Sequence, residues 1–211
     1  MLFKVTKRRK RFSFLKEIFE WLFAVVFAFI IALFIVSNIG SLTQVKEQSM
    51  EPTFLENDRV IINKIGYILG KPKRGDVVIL SKVNTEKGLF VNMRNEFNDI
   101  KDNISYRFTG VIKKNNLIKR VIGIPGDELD IRDGAVYING KLEEGYTFKG
   151  ETFEESNLKF PLEVPENKVF VLGDNREYSL DSRSIGFIDY NQIKGKAFFR
   201  FFPFSRVGLI K

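Results

Sequence analysis

The sequence predicts a mostly β protein, with one N-terminal transmembrane helix followed by an extracytoplasmic folded β-sheet or partly closed barrel. Three observations predict it. One unbroken apolar run, Trp21 to Val36, stands near the N-terminus. A cluster of basic residues precedes that run. Short β-branched runs punctuated by turn residues dominate the remainder of the chain.

With Ile18, Phe19 and Ile39 the apolar run approaches the ~20 residues a helix needs to cross the hydrocarbon core. A cleaved signal peptide is the rival reading. Against it, the run is longer than an ordinary h-region, and residues 37–42 (Ser-Asn-Ile-Gly-Ser-Leu) offer no good Ala-x-Ala-like site. A buried core helix would leave the basic flank unexplained. Lys4, Lys7, Arg8, Arg9, Lys10, Arg11 and Lys16 give +7 before the first acid, Glu17, so the remaining chain carries only +1 of the net +8. Charge placed in that way is a cytoplasmic topogenic signal and a lipid-headgroup contact, not a nucleic-acid patch. Nucleic acid is therefore not an expected partner. Residues 1–17 are read as a basic cytoplasmic tail and 18–39 as the transmembrane helix. Everything from about residue 40 then lies outside the cytoplasm.

Val60-Ile61-Ile62 and Val77-Val78-Ile79-Leu80 read as strands, bounded by Asn57-Asp58 and Lys73-Arg74-Gly75-Asp76. Residues 81–116 are polar, with Asn- and Lys-rich patches, and read as an extended hairpin or loop. Lys119 lies in a strand that ends at Pro125-Gly126-Asp127. Leu129-Asp130-Ile131 and Ala135-Val136-Tyr137-Ile138 come next, with Asn139-Gly140 as a hairpin turn signal. Lys168 to Leu172 is another strand, and Ala197 to Leu209 the last. No long amphipathic helix is expected after the anchor. Phe198, Phe199, Phe201, Phe202 and Phe204 admit two readings: strand core, or an apolar edge resting on the bilayer. Phe on both faces of the segment is not explained by one-sided burial.

The residues that are missing constrain the chemistry. The chain has no Cys and no His. That excludes disulfides, a thiolate nucleophile and a Ser-His-Asp triad, and makes a zinc site improbable. A serine nucleophile here would need Lys, Asp, Glu or an amino terminus as its base. Ser49, in Gln48-Ser49-Met50-Glu51-Pro52-Thr53-Phe54, comes after a 12-residue linker (37–48) that holds it near the membrane surface. Pro52 fixes the backbone behind it. Taken alone, the stretch reads more readily as a turn with a serine cap. Lys119 sits in the apolar run Leu117-Ile118-Lys119-Arg120-Val121-Ile122-Gly123-Ile124. By period two it shares a strand face with Leu117 and Val121, while Arg120 points to the other face. Burial among such groups lowers a lysine pKa, so a neutral amine can accept the serine proton. The same logic requires that no carboxylate pair with it.

A third block, Gly173-Asp174-Asn175-Arg176-Glu177-Tyr178-Ser179-Leu180-Asp181-Ser182-Arg183, completes the pattern. These three blocks, in this order behind one membrane segment, resemble the type I signal peptidases, the serine/lysine-dyad leader peptidases of the bacterial cytoplasmic membrane. The resemblance runs from the anchor almost to the C-terminus. It implies a membrane-bound serine endopeptidase that cleaves signal peptides from exported preproteins with a Ser49–Lys119 dyad and no metal or organic cofactor. It implies a single-pass protein, N-terminus in the cytoplasm and catalytic domain outside. The bilayer is a partner, and the secretion translocon a candidate one. It gives Ser179 the role of orienting Lys119, and makes Asp181 and Arg183 structural, with Asp174 and Arg176 as further structural charges. Val45, Met50, Phe54, Val60, Leu117 and Ile118 match the lining of shallow pockets for small side chains before the cut. Residues 40–127 and 166–211 would be the two parts of a catalytic β core, and 128–165 a small variable cap.

One position departs from the pattern. Two residues before the serine many family members carry Ser or Gly, and this chain has Glu47. A carboxylate cannot donate to an oxyanion, so Glu47 is expected to point outward, to solvent or to a nearby cation. Two rival functions stay open: a processing peptidase of the same family dedicated to one substrate class, and a catalytically weak anchored β-domain that binds exported segments. A self-cleaving repressor is a further relative, against which the anchor argues.

Overall fold

The computed structural model describes residues 5–82, 86, 88–109, 116–155 and 158–210. It begins with α1 (Val5–Asn38), whose Phe14–Asn38 part is 25 residues of apolar helix, long enough to cross a membrane. The rest of the protein covers none of its most apolar window, and Phe19, Trp21 and Phe23 stand exposed. An apolar helix of that length, with its most apolar window uncovered, is a candidate membrane span. Of the basic cluster, Lys4 lies outside the described residues, and the segment from Lys7 to Lys16 continues the same helix.

Strands come after the helix: β1 (Gly40–Gln44), β2 (Arg59–Asn63), a short α2 (Ile65–Leu69) and β3 (Val77–Ser81). Then come α3 (Leu89–Thr109), β4 (Asn116–Gly123), β5 (Glu128–Arg132), β6 (Ala135–Ile138), β7 (Lys141–Leu142) and β8 (Leu162–Glu163). The chain closes with β9 (Lys168–Leu172), α4 (Ser182–Ile185), β10 (Ile188–Asp189), β11 (Ile193–Phe202) and β12 (Gly208–Leu209). The larger sheet has the order β1-β2-β11-β3-β4-β9-β10, with β12 added against β11, and every pairing is antiparallel. It stays open between β1 and β10, so the folded-sheet alternative holds and no barrel closes. A smaller sheet, β7-β6-β5-β8, is inserted between β4 and β9. Asn139 and Gly140, both with positive φ, make the β6–β7 turn.

The apolar runs are continuous because the central strands are covered on both faces. All five residues of β3 are buried. Val78 and Leu80 join Leu117, Val121, Val169 and Val171 in one core, whereas Val77 and Ile79 join Val45, Met50, Phe54 and Val60 in another. A third core, from Ile122, Phe170 and Leu172, packs the small sheet through Leu129, Ile131 and Val136.

Two expectations change. Residues 81–116 are not a hairpin or loop: α3 fills Leu89–Thr109, and 83–85, 87 and 110–115 lie outside the described residues. Apolar residues at Leu89, Met93, Phe97, Ile100 and Ile104 carry the helical period there, diluted by Asn and charge. It is also the long amphipathic helix that was not expected after the anchor. Of the two readings of the Phe cluster, one-sided strand core does not hold. One-sided burial on β11 ends at Ala197, and Phe198, Phe202 and Phe204 are exposed.

Asp127 pins the two sheets together. Its carboxylate accepts from Arg74 (2.6 Å), from Asn139 Nδ2 (2.9 Å) and from the Ile124 N–H (2.8 Å). Burial opposes its ionisation, but the bonds from Ile124, Arg74 and Asn139 outweigh burial and hold the carboxyl below its ordinary range. A depressed carboxyl contributes stability above its unfolded-state pKa, lost as pH falls through the lower native one. Asp127→Asn should therefore cost about 1–3 kcal/mol near neutral pH. That difference should shrink as the pH falls toward ~3. Thermal unfolding of both proteins in one detergent across that range measures it, and a pH-independent difference would refute the assignment.

Candidate active site

Ser49 sits in a single 3-10 turn, Gln48–Met50, entered from Glu47 in extended conformation. The turn is short because Pro52 lies just beyond it, and the loop around residues 173–176 clamps it. Ser49 O accepts from the Asn175 N–H (3.1 Å), and Gln48 O accepts from Asn175 Nδ2 (3.2 Å). Downstream, Thr53 Oγ1 donates to Asp174, and Thr53 O accepts from Arg200 (2.7 Å). Met50 and Phe54 are buried in the core below.

Lys119 lies mid-strand on β4, opposite Val78 on β3, and is fully buried. Leu117 and Val121 flank it on the same face, as the alternation requires. Its Nζ donates to Ser49 Oγ at 2.7 Å. Among the described residues no carboxylate makes an ion pair with it. Burial drives its pKa down to about 8, against the charges of Asp181, Glu47 and Asp174, which pull it up. An amine of that pKa is substantially neutral at mildly alkaline pH. The same contact can then run in reverse, the hydroxyl donating to the nitrogen lone pair.

Arginine holds the two Asp residues that act on Lys119. Arg120, on the opposite face of β4, grips Asp174 through Nε (2.8 Å) and Nη2 (2.7 Å), and stacks on Tyr146. Asp181 accepts from Arg183 Nε (2.9 Å) and Nη2 (3.0 Å) and from the Gly173 N–H (3.1 Å). Arg176 makes a third buried pair, bidentate to Glu143 at 2.7 and 2.6 Å, and also donates to Thr152 and Gly173 O. Each is a planar fork on a carboxylate, the geometry in which Arg exceeds Lys.

The other predicted residues divide. Ser179 is buried in this loop beside Gly173, but its Oγ has no hydrogen-bond partner, so no bond to Lys119 is formed. Of the two surroundings expected for Glu47, solvent or a nearby cation, the second fits better. Glu47 is half-buried, and its charge reaches Lys119. Val45, Met50, Phe54 and Val60 form one closed core with half-buried Ile118 at its side. Leu117 lies across the sheet in the other core. An adjacent cleft of about 600 Å³ has a different, mixed lining that includes Thr53, Arg120, Tyr146, Arg200, Leu209 and Ile210.

Sequence reading missed four positions that hold the site. Asn175 and Thr53 stood inside quoted motifs, but motif position does not reveal a clamp. Glu143 lay in an acidic stretch without pattern. Gly173 is the fourth. One step past Leu172, which pairs with Arg120, it stands level with Lys119. A Cβ there would overlap both Ser179 Oγ and the backbone carbonyl oxygen of Ser49. Gly173→Ala should therefore displace the Ser49 turn from Lys119 and lower kcat about 10²-fold, since a 1 Å misplacement can cost that much. Steady-state peptide cleavage, with circular dichroism to verify folding, tests this. Wild-type turnover would show that the close approach is unimportant.

Comparison with known proteins shows the family of this chain. The model of the family described as signal peptidase, peptidase S26, matches residues 18–202. A Synechocystis sp. protein named "Probable signal peptidase I-2" is 37% identical over 186 residues, 88% of this chain and 73% of that protein. Signal peptidase IB of Staphylococcus aureus (strain COL) is 33% identical over 206 residues, 90% of this chain and 92% of that protein. A crystal structure of a signal peptidase I from Enterococcus faecalis V583 aligns with a TM-score of 0.39 at 26% identity, over 60% of this chain and 96% of that one. With the family model covering most of its length, the chain belongs to the signal peptidase family, peptidase S26.

Proposed function

We propose that this chain is a membrane-anchored serine endopeptidase that removes signal peptides from exported preproteins, with Ser49 as nucleophile and Lys119 as general base. The observation that carries the reading is the buried 2.7 Å contact between Lys119 Nζ and Ser49 Oγ in a chain without histidine. Neutral Lys119 takes the Oγ proton as Oγ bonds to the scissile carbonyl carbon. The ammonium then gives that proton to the departing amine as the peptide bond breaks, leaving an acyl-serine. Water, deprotonated by the same amine, attacks the ester and restores the serine. The Ser49 N–H is the oxyanion donor we assign from this chain, because Glu47 can only accept. Ile118, the least buried of the expected pocket residues, is the one we place against the substrate.

The substrate arrives with its own apolar segment in the bilayer, so a catalytic serine close behind a membrane helix suits it. We place the basic N-terminus in the cytoplasm of a bacterium and the β-domain outside its cytoplasmic membrane, following the positive-inside bias. We take residues 128–165 as a cap on a core of 40–127 and 166–211, and the secretion translocon as the neighbour that delivers preproteins.

Purified protein incubated with a preprotein tests the reading. Ser49→Ala and Lys119→Ala should each abolish cleavage, and the double variant should be little worse than either, because nucleophile and base act as a unit. Substantial activity in either single variant ends the dyad reading. Cleavage of one substrate class alone, across a panel of preproteins, would identify a dedicated processing peptidase instead.

The pH dependence has a worked sign. The base must be neutral, so kcat/KM should rise with pH through the lowered Lys119 pKa of about 8. Burial sets that value, while Asp181, Glu47 and Asp174 oppose it and Lys82 assists it. Glu47→Gln removes one opposing charge, and the rising limb should move to lower pH. An unmoved limb would mean that Glu47 does not act on the base.

A further inference from the structure

α3 is fastened to the protein by its polar side. Asn92, Glu96 and Asp99, at i, i+4 and i+7, share one face of the helix. Asn92 Nδ2 donates to Asn38 Oδ1 (3.0 Å), Lys64 Nζ pairs with Glu96 (2.7 Å), and Lys194 Nζ pairs with Asp99 (2.7 Å). The apolar stripe Leu89, Met93, Phe97, Ile100 and Ile104 lies about 90° round the helix from that face, at 100° per residue. Leu89, Phe97 and Ile104 are 47%, 43% and 54% exposed, and neighbouring Phe90 is 84% exposed. A helix that helped to close a water-soluble core would turn this stripe inward and its acids outward.

The charges are sorted as well. The acids Glu96 and Asp99 face the protein, whereas exposed Arg94 and Lys101 stand on the far flank of the stripe. An apolar stripe bordered by basic residues is the pattern of a helix lying in the interface of an anionic bilayer. The position agrees. Asn38, the last residue of α1, bonds both Asn92 and Leu89 O, so α3 begins where the membrane-length helix ends. Phe34 and Ile35, near that end of α1, are exposed as well.

We propose that α3 is an interfacial membrane helix, with its Leu89–Ile104 stripe in the outer headgroup region and Arg94 and Lys101 on anionic lipid. It makes a second, lateral contact that fixes the tilt of the β-domain, and with it the Ser49–Lys119 pair, above the bilayer. The inference rests on α1 being the membrane span.

The chain has no cysteine, so single sites can be labelled in the full-length protein. Phe97→Cys on the stripe, Asn98→Cys on the exposed side and Phe27→Cys in α1 would each carry an environment-sensitive fluorophore. The vesicles would contain phosphatidylcholine and phosphatidylglycerol. Lipid-borne nitroxide should quench the label at position 97 several-fold more than that at 98, with aqueous iodide giving the reverse order. Equal quenching at 97 and 98, with the label at 27 in lipid, would overturn the proposal and leave the anchor intact. A label at 27 that lipid nitroxide does not reach would end both. Disulfide formation by Phe97→Cys in detergent would assign the stripe to a second copy of the chain, against the proposal.

Discussion

A buried amine without a carboxylate in contact is the constraint around which this domain is arranged. Transfer of an ammonium into a core is costly, and proteins meet that cost by pairing the charge or by giving up the proton. Lys119 has the second option. Its strand is central, its face neighbours are Leu117 and Val121, and its polar contact is a neutral hydroxyl. Those conditions depend on the cores that cover the central strands on both faces, which is why these strands read as unbroken apolar runs.

Carboxylates nevertheless stand nearby, and their treatment explains the density of arginine around the site. Asp174 and Asp181 are each held by a guanidinium, Arg120 and Arg183 respectively. Each acid is therefore counter-charged before its field reaches the amine, and its pull on the lysine is reduced accordingly. The same pairs do mechanical work. Asp174 fixes Thr53, Asp181 fixes Gly173, and Arg176 fixes Gly173 O. A buried charged pair is weak evidence of stability, and here the pairs secure a geometry: the carbonyls and turns that define where Ser49 stands.

Much of this was legible in the sequence. The missing histidine forced attention onto a lysine base, period two placed Lys119 and Arg120 on opposite faces, and the apolar run with its basic flank marked the anchor. What was not legible has physical causes. Contacts between residues far apart in the chain, such as Arg176 with Glu143, leave no local pattern. α3 was missed because Asn and charged residues dilute the apolar period of 89–104. Phe54 and Met50 belong to a recognisable motif, yet only packing decides that they fill a closed core. Glu47 shows the converse: a departure from the family pattern, expected to face solvent or a cation, is half-buried and its charge acts on Lys119.

The clamp on Ser49 also bears on how the protein is made. Asn175, which holds both Gln48 O and Ser49 O, lies 127 residues beyond Gln48. Synthesis proceeds from the N-terminus, so the serine turn is made long before its clamp. Until the 173–183 loop has emerged, the hydroxyl and the amine have nothing to hold them in register. The nascent chain therefore lacks the contacts that set Ser49 against Lys119 until its last strands have formed.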